Sequence, residues 1–163
     1  DFFRAKGLAM KRANLANIAV QDRMAEIYGR EKYGDLMIYD ALICNKDRHL
    51  GNFGYLTDNN TGAYLRPAPI FDNGFSLLYG AAKNDMENLE AYISSLSGKY
   101  MNFDTAVKLF IRPDHIPGIR KLLNFHFRKH PKYNVANATL EKMSQFIQLR
   151  AKRILSLYRE KYI

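Results

Sequence analysis

An apolar face followed at once by a polar octapeptide limits what this chain can build. Leu36, Tyr39, Leu42 and Ile43 recur at three- and four-residue spacing, which predicts a short buried helix. Its end delivers the chain into Asn45-Lys46-Asp47-Arg48-His49-Leu50-Gly51-Asn52, a polar loop. Beyond it, Phe53-Gly54-Tyr55-Leu56 and Tyr64-Leu65-Arg66 read as two short strands. The turn-forming cluster Asp58-Asn59-Asn60-Thr61-Gly62 between them predicts a hairpin. Ala68-Pro69-Ile70-Phe71 then leads to Asp72, and its prolines predict an edge or a non-strand extended segment.

The rest reads as helix. Residues 8–28 carry Leu15, Ile18, Ala25 and Tyr28 on a loose helical face, and Gly29 and Gly34 bracket a break. After Gly80, Met86, Leu89, Ile93 and Leu96 form one apolar stripe. Phe103, Ala106, Val107 and Phe110 form a second, with Asn102 as its N-cap and Pro113 beyond its end. Pro117 suits the first turn of a third helix, closing before His130-Pro131. The last helix has Leu140, Met143, Ile147, Ala151, Ile154 and Tyr158 on one face, with Asn137 or Thr139 as N-cap. The expected fold is mostly α, of the α+β class: residues 1–163 form one lobe of helices around one hairpin that carries the polar motif.

Composition narrows the class. Hydrophobic residues make up 47% and aromatics 13% of the 163 residues, which excludes a disordered tail. The net charge of +9 suits an anionic partner. Cys44, the only cysteine, precludes an internal disulfide, fits a reducing, cytoplasmic setting and reads as a packing thiol. No apolar run reaches the roughly 20 residues that span a bilayer, so no membrane role is expected. The chain opens at Asp1 without an initiator Met, so the expectation is that its natural N-terminus has been removed.

The chemistry concentrates in Asp47, Asn52 and Asp72. An Asp, an Asn five positions later and a second Asp twenty residues past the Asn is the spacing of a phosphoryl-transfer site. One carboxylate, Asp47, accepts the proton of the attacking hydroxyl. The Asn52 amide oxygen and the Asp72 carboxylate are hard ligands for Mg²⁺ against the phosphates of ATP. Arg48 is expected to pair with a carboxylate and fix its orientation, and His49 to brace the loop near Asp72. Asn45 is expected to brace the turn before the base, Gly51 and Gly54 to allow close backbone approach, and Ser76 to cap the segment after Asp72. His115, His126 and His130 read as structural, the latter two in a basic Phe-rich helix.

The order Asp-Arg-His-x-x-Asn resembles that of phosphoinositide kinases and of the HipA-like serine/threonine kinases of bacterial toxin–antitoxin systems. Leu42-Ile43-Cys44-Asn45-Lys46-Asp47-Arg48-His49-Leu50-Gly51-Asn52-Phe53 looks most like the HipA-like version, and Ala68-Pro69-Ile70-Phe71-Asp72 resembles that family's approach to its metal-binding Asp. The likeness covers roughly residues 36–78. It implies a helical kinase C-lobe moving the ATP γ-phosphate to a protein serine or threonine, with Asp47 as base, Arg48 and His49 beside it, and Asn52 and Asp72 holding Mg²⁺ and nucleotide. Such kinases carry a smaller N-lobe with a phosphate-binding loop and a lysine, and no equivalent is visible here. The resemblance therefore implies a separate N-lobe on a missing segment or another chain, and as a partner either that N-lobe chain or an antitoxin. Asp72-Asn73-Gly74 departs from the apolar residues usual after the metal-binding Asp.

Two other functions compete. A lipid or small-molecule kinase would use the same loop. A non-enzymatic module would use Arg112, Arg120, Lys121, Arg128, Lys129 and Lys132, interleaved with Phe125, Phe127 and Tyr133, to track nucleic-acid phosphates or hold a partner protein. An amphipathic helix with a solvated basic face is the simpler reading of that segment.

Overall fold

The computed structural model describes residues 17–133 and 135–163. Their elements are helix α1 (Ile18–Tyr28), α2 (Arg30–Ile43), strands β1 (Tyr55–Thr57) and β2 (Tyr64–Pro67), then α3 (Lys83–Glu87), α4 (Leu89–Ser95), α5 (Phe103–Phe110), α6 (Ile116–Lys121) and α7 (Asn137–Tyr162). The architecture is mostly helical with one small antiparallel sheet, as expected.

The polar octapeptide is positioned by α2, which is buried on most sides between α1, α5 and α7. Tyr33, Leu36, Met37, Ile38 and Ala41 all point into core, while Tyr39 and Leu42 are only half-buried. The helix starts earlier than its apolar spacing suggested, at Arg30, and Gly34 lies inside it. Gly34 is there for room: a Cβ would sit 2.9 Å from Arg112 Nη1 and 3.5 Å from the Phe110 carbonyl. Gly29, at φ 93°, does break the chain, separating α1 from α2.

In α1, Asn17 Oδ1 caps the Ala19 amide at 2.9 Å. The inward face is Gln21, Met24, Ala25 and Tyr28, and Ile18 is exposed. Gln21 takes the inward position because its side chain bonds the buried Tyr33 hydroxyl. The part of the expected helix before Asn17, including Leu15, lies outside the described residues.

The hairpin pairs Tyr55 with Pro67, Leu56 with Arg66 and Thr57 with Tyr64, with a bulge after Leu56. Asp58 Oδ1 accepts from the Asn60 and Thr61 amides at 2.9 and 2.8 Å. Those bonds, led by Thr61, hold its carboxyl below the usual range. Gly62, at φ 70°, completes the turn. Tyr55 packs edge-on against Tyr28 and donates to its carbonyl at 2.9 Å, fastening the hairpin to the helices.

The stripe Met86–Leu96 is two helices, not one. Asn88 ends α3 and caps α4 by accepting from the Ala91 amide at 3.4 Å. Asn102 caps α5 as expected, accepting from Asp104 at 2.8 Å. The helix opened near Pro117 stops at Lys121 and tightens into a single turn over Leu122–Asn124. Residues 125–130 have no regular secondary structure, so His126 and His130 are not on a helix. That segment bonds α7 instead of itself: Ser144 Oγ accepts from the Phe127 amide at 3.0 Å, and Gln148 Nε2 donates to the Phe125 carbonyl at 2.8 Å. Neither Asn137 nor Thr139 caps α7. The first helical residue is Asn137, preceded by Ala136, which makes no side-chain cap.

One core joins Ile38 and Ala41 of α2, and Cys44 just past its end, to Leu89, Ile93, Val107, Phe146, Ala151 and Ile154. A second joins Met24, Tyr28, Tyr33, Met37 and Phe53. Cys44 is fully buried, and burial pushes its thiol up to about 12, so it is an inert packing group. Among the described residues no helix is long and apolar enough to cross a membrane.

Asp35 ties α2 to the turn Pro113–His115. It accepts from Arg112 at 2.7 Å and lies 3.1 Å from His115 Nε2. Desolvation opposes ionisation there, but the bonds from Arg112 and His115 prevail, and its carboxyl is held below the usual range. A lowered native value means stability present above the unfolded value, about pH 3.9, and lost as pH falls through the native one. Asp35→Asn is therefore expected to flatten the acid limb of stability below about pH 5, read from denaturant midpoints across pH.

Candidate functional site

At the end of α2, Cys44 turns into the left-handed region at φ 51° and ψ 54° while its amide still bonds the Asp40 carbonyl. That reversal throws the following residues back across the helix end. Asn45 is buried and acts as a brace: its Oδ1 accepts from the Asp47 amide at 3.1 Å, and its Nδ2 donates to the Asp72 carbonyl at 3.4 Å.

Arg48 is the organising residue. Its guanidinium is 4% exposed and makes a bidentate pair with Asp40, Nε to Oδ2 at 2.8 Å and Nη2 to Oδ1 at 2.9 Å. It also donates at 2.8 Å to the carbonyls of Asn52 and Phe71 and to Asn73 Oδ1. One planar cation thus ties α2, the end of the octapeptide and the segment bearing Asp72. The expected carboxylate partner exists, but it is Asp40. Burial pushes the Asp40 carboxyl up, against the pull of the Arg48 bonds. Asn73, an unusual residue in that place by resemblance, has its role here as an Arg48 acceptor.

Asn52 is buried between the two aspartates. Its Nδ2 donates to the Asp47 carbonyl at 2.9 Å and to Asp72 Oδ2 at 3.4 Å, and its Oδ1 accepts from the His49 amide at 2.9 Å. Asp72, at φ 56°, is exposed and turned towards Asn52. Asn52 therefore joins the main chain of Asp47 to the side chain of Asp72, while the Asp47 carboxylate faces Lys99 and His49. His49 braces the loop beside Asp47 more than beside Asp72: its Nδ1 accepts from Gly51 at 3.0 Å, and its Nε2 lies 3.7 Å from Asp47 Oδ2.

Two contributors come from far along the chain. Lys99 pairs with Asp47 Oδ1, and the Tyr100 hydroxyl accepts from the Leu50 amide at 2.9 Å. Nothing in the sequence near Lys99 marked it beyond a Ser-Gly loop signal.

No protein-family model and no solved structure matches the chain. A curated relative is the serine/threonine-protein kinase CtkA of Helicobacter pylori (strain J99 / ATCC 700824). It is 36% identical over 76 residues, which cover 46% of this chain and 23% of the kinase. The matched stretch is thus less than a quarter of that protein's length. A kinase stands among the relatives of this chain.

The other candidates fall outside the site. Ser76 does not cap: its buried hydroxyl has no hydrogen-bond partner. His115 accepts from the Arg112 amide at 3.1 Å, and His130 accepts from Lys132 and Tyr133 at 3.1 and 3.0 Å, both structural roles. The proposed basic surface loses Arg112, which is taken up by Asp35, Asp114 and the Glu31 carbonyl. It also loses its helix, since residues 125–130 have no regular secondary structure.

Proposed function

We propose that this chain is the catalytic lobe of a HipA-like serine/threonine protein kinase, moving the ATP γ-phosphate to a protein hydroxyl. The observation that carries this reading is the Asn52 amide bonded at once to the Asp47 main-chain carbonyl and the Asp72 carboxylate, on a loop held by Arg48. The partial likeness to a serine/threonine kinase supports it.

In this reading the acceptor hydroxyl oxygen attacks the γ-phosphorus, and its proton passes to the Asp47 carboxylate. The bond from the γ-phosphorus to the bridging oxygen breaks, and its electron pair leaves with ADP. Among the described residues no three His, Cys, Asp or Glu side chains form a metal cluster. Asp72 and Asn52 would hold Mg²⁺, which takes few protein ligands and completes its shell with phosphate oxygens and water, once the contact from Asn52 Nδ2 to Asp72 opens to admit the ion. Asp72 contributes an exposed carboxylate, and the Asn52 oxygen has a second lone pair beside its bond to His49. Bound there, Mg²⁺ would neutralise charge on the β- and γ-phosphate oxygens.

On the segment that carries Asp72, the large apolar side chains Ile70, Phe71, Phe75 and Tyr79 are exposed. Such a face fits contact with a nucleotide-gripping N-lobe.

Asp72→Ala is expected to weaken Mg²⁺-dependent ATP binding by roughly tenfold or more, about 1.4 kcal/mol, with Mg²⁺-free binding unaffected. Titration calorimetry on the intact gene product measures both, and equal affinities for variant and wild type would remove Asp72 from the site.

A further inference from the structure

We infer that Lys99 is a further residue of the transfer site, one whose ammonium rests on Asp47 in the free protein and moves onto the transferring phosphoryl group in the complex. The inference rests on the kinase reading above and deepens it.

Among the described residues, Lys46 and Arg48 on the loop and Lys99 beside it are cations at this site. Arg48 is buried and committed to Asp40, Asn73 and two carbonyls. Lys46 donates to the Tyr79 carbonyl at 2.7 Å and lies over that ring at 5.4 Å. Lys99 pairs directly with Asp47, and the two side chains are 31% and 35% exposed, so a ligand reaches both.

The placement is built, not incidental. Tyr100 is buried and accepts from the Leu50 amide at 2.9 Å, clamping the loop 97–101 onto the octapeptide. Gly98 makes the close turn before it, where a Cβ would meet the Met101 carbonyl at 2.9 Å and the Phe103 ring at 3.2 Å. The fold therefore delivers an ammonium to the carboxylate that receives the acceptor proton.

Phosphoryl transfer spreads negative charge over the phosphoryl oxygens, and cations placed there lower the barrier. A group in contact with the base lies within one side-chain swing of the γ-phosphate, and lysine's four-carbon stem permits that swing. Lys99 neither gives nor takes a proton. The acceptor's proton still goes to Asp47, and the electrons of the broken P–O bond still leave with the diphosphate.

The test compares the intact gene product with its Lys99→Met, Lys99→Arg, Asp47→Ala and Lys83→Met variants. Lys83→Met removes an equal charge from a solvated position. Transfer from γ-labelled ATP with Mg²⁺ to dephosphorylated casein gives kcat and KM, and thermal melts report folding. Lys99→Met is expected to fold and to lose about 100-fold or more in kcat, with KM for ATP within about threefold of wild type. Lys99→Arg is expected to recover most of that loss and Lys83→Met to match wild type. Wild-type kcat in Lys99→Met beside a silent Asp47→Ala would overturn the inference and leave the kinase reading standing. A rise in KM alone would overturn it as well, since the contact would then form equally in the ground state. Loss of the melting transition in both Lys99 variants would make the pair structural. No transfer by wild type, or equal transfer by Asp47→Ala, would remove the kinase reading and this inference with it.

Discussion

Asp47→Ala is expected to lower γ-phosphate transfer by about 10²- to 10⁴-fold, the range a positioned general base supplies, without unfolding the lobe. The structure separates the two effects. The loop is held through the Asp47 main chain, whose amide bonds Asn45 Oδ1 and whose carbonyl accepts from Asn52 Nδ2. Alanine keeps both bonds. The change removes only the carboxylate, which is partly exposed and meets Lys99 and His49. Exposed pairs of this kind contribute about 1 kcal/mol or less, so the melting temperature is expected to stay close to wild type. A large drop in melting temperature would make Asp47 a structural residue.

Arg48→Met is expected to do the reverse, costing about 3–5 kcal/mol of stability and activity with it. Removing the guanidinium leaves Asp40 buried without its partner and frees two carbonyls and the Asn73 oxygen. The pH dependence has a definite sign. Burial already raises the Asp40 carboxyl against the Arg48 bonds, and without those bonds it rises further. A raised native value means stability present at low pH and lost as pH rises through it. The variant is therefore expected to gain stability on acidification from neutral to mildly acidic pH relative to wild type. Asp40→Asn combined with Arg48→Met is expected to cost less than the two single changes added together, because each removes the other's partner. Denaturant midpoints at neutral and mildly acidic pH measure both effects. Additive losses would show that the pair is not the organising contact.

Much of the candidate site's layout was legible because its residues are close in sequence. Asp47 and Asn52 lie on one loop, and the hairpin that returns Asp72 to them is written in its turn residues. The hidden part depends on packing between distant segments. Lys99 and Tyr100 reach the loop from fifty residues downstream, and only the fold of α4 and α5 onto α2 brings them there. Asp40 carries no signal of its own in the sequence, and its pairing with Arg48 needs the chain reversal at Cys44. The helical expectations failed where local and tertiary demands differ. Gly34 reads as a breaker, yet α2 uses it for close approach to Arg112. Asn88 sits within an apolar stripe but caps a new helix. The Phe-rich segment 125–130 has helical-looking composition, but its backbone bonds are taken by Ser144 and Gln148.

The most direct test of the central claim is phosphoamino-acid analysis after incubating the intact gene product with Mg²⁺, γ-labelled ATP and a protein acceptor, beside its Asp47→Ala variant. The account predicts label on serine or threonine with the wild type and none above background with Asp47→Ala. Equal label from the variant, or a folded wild type that moves no phosphate to any protein hydroxyl, would contradict it.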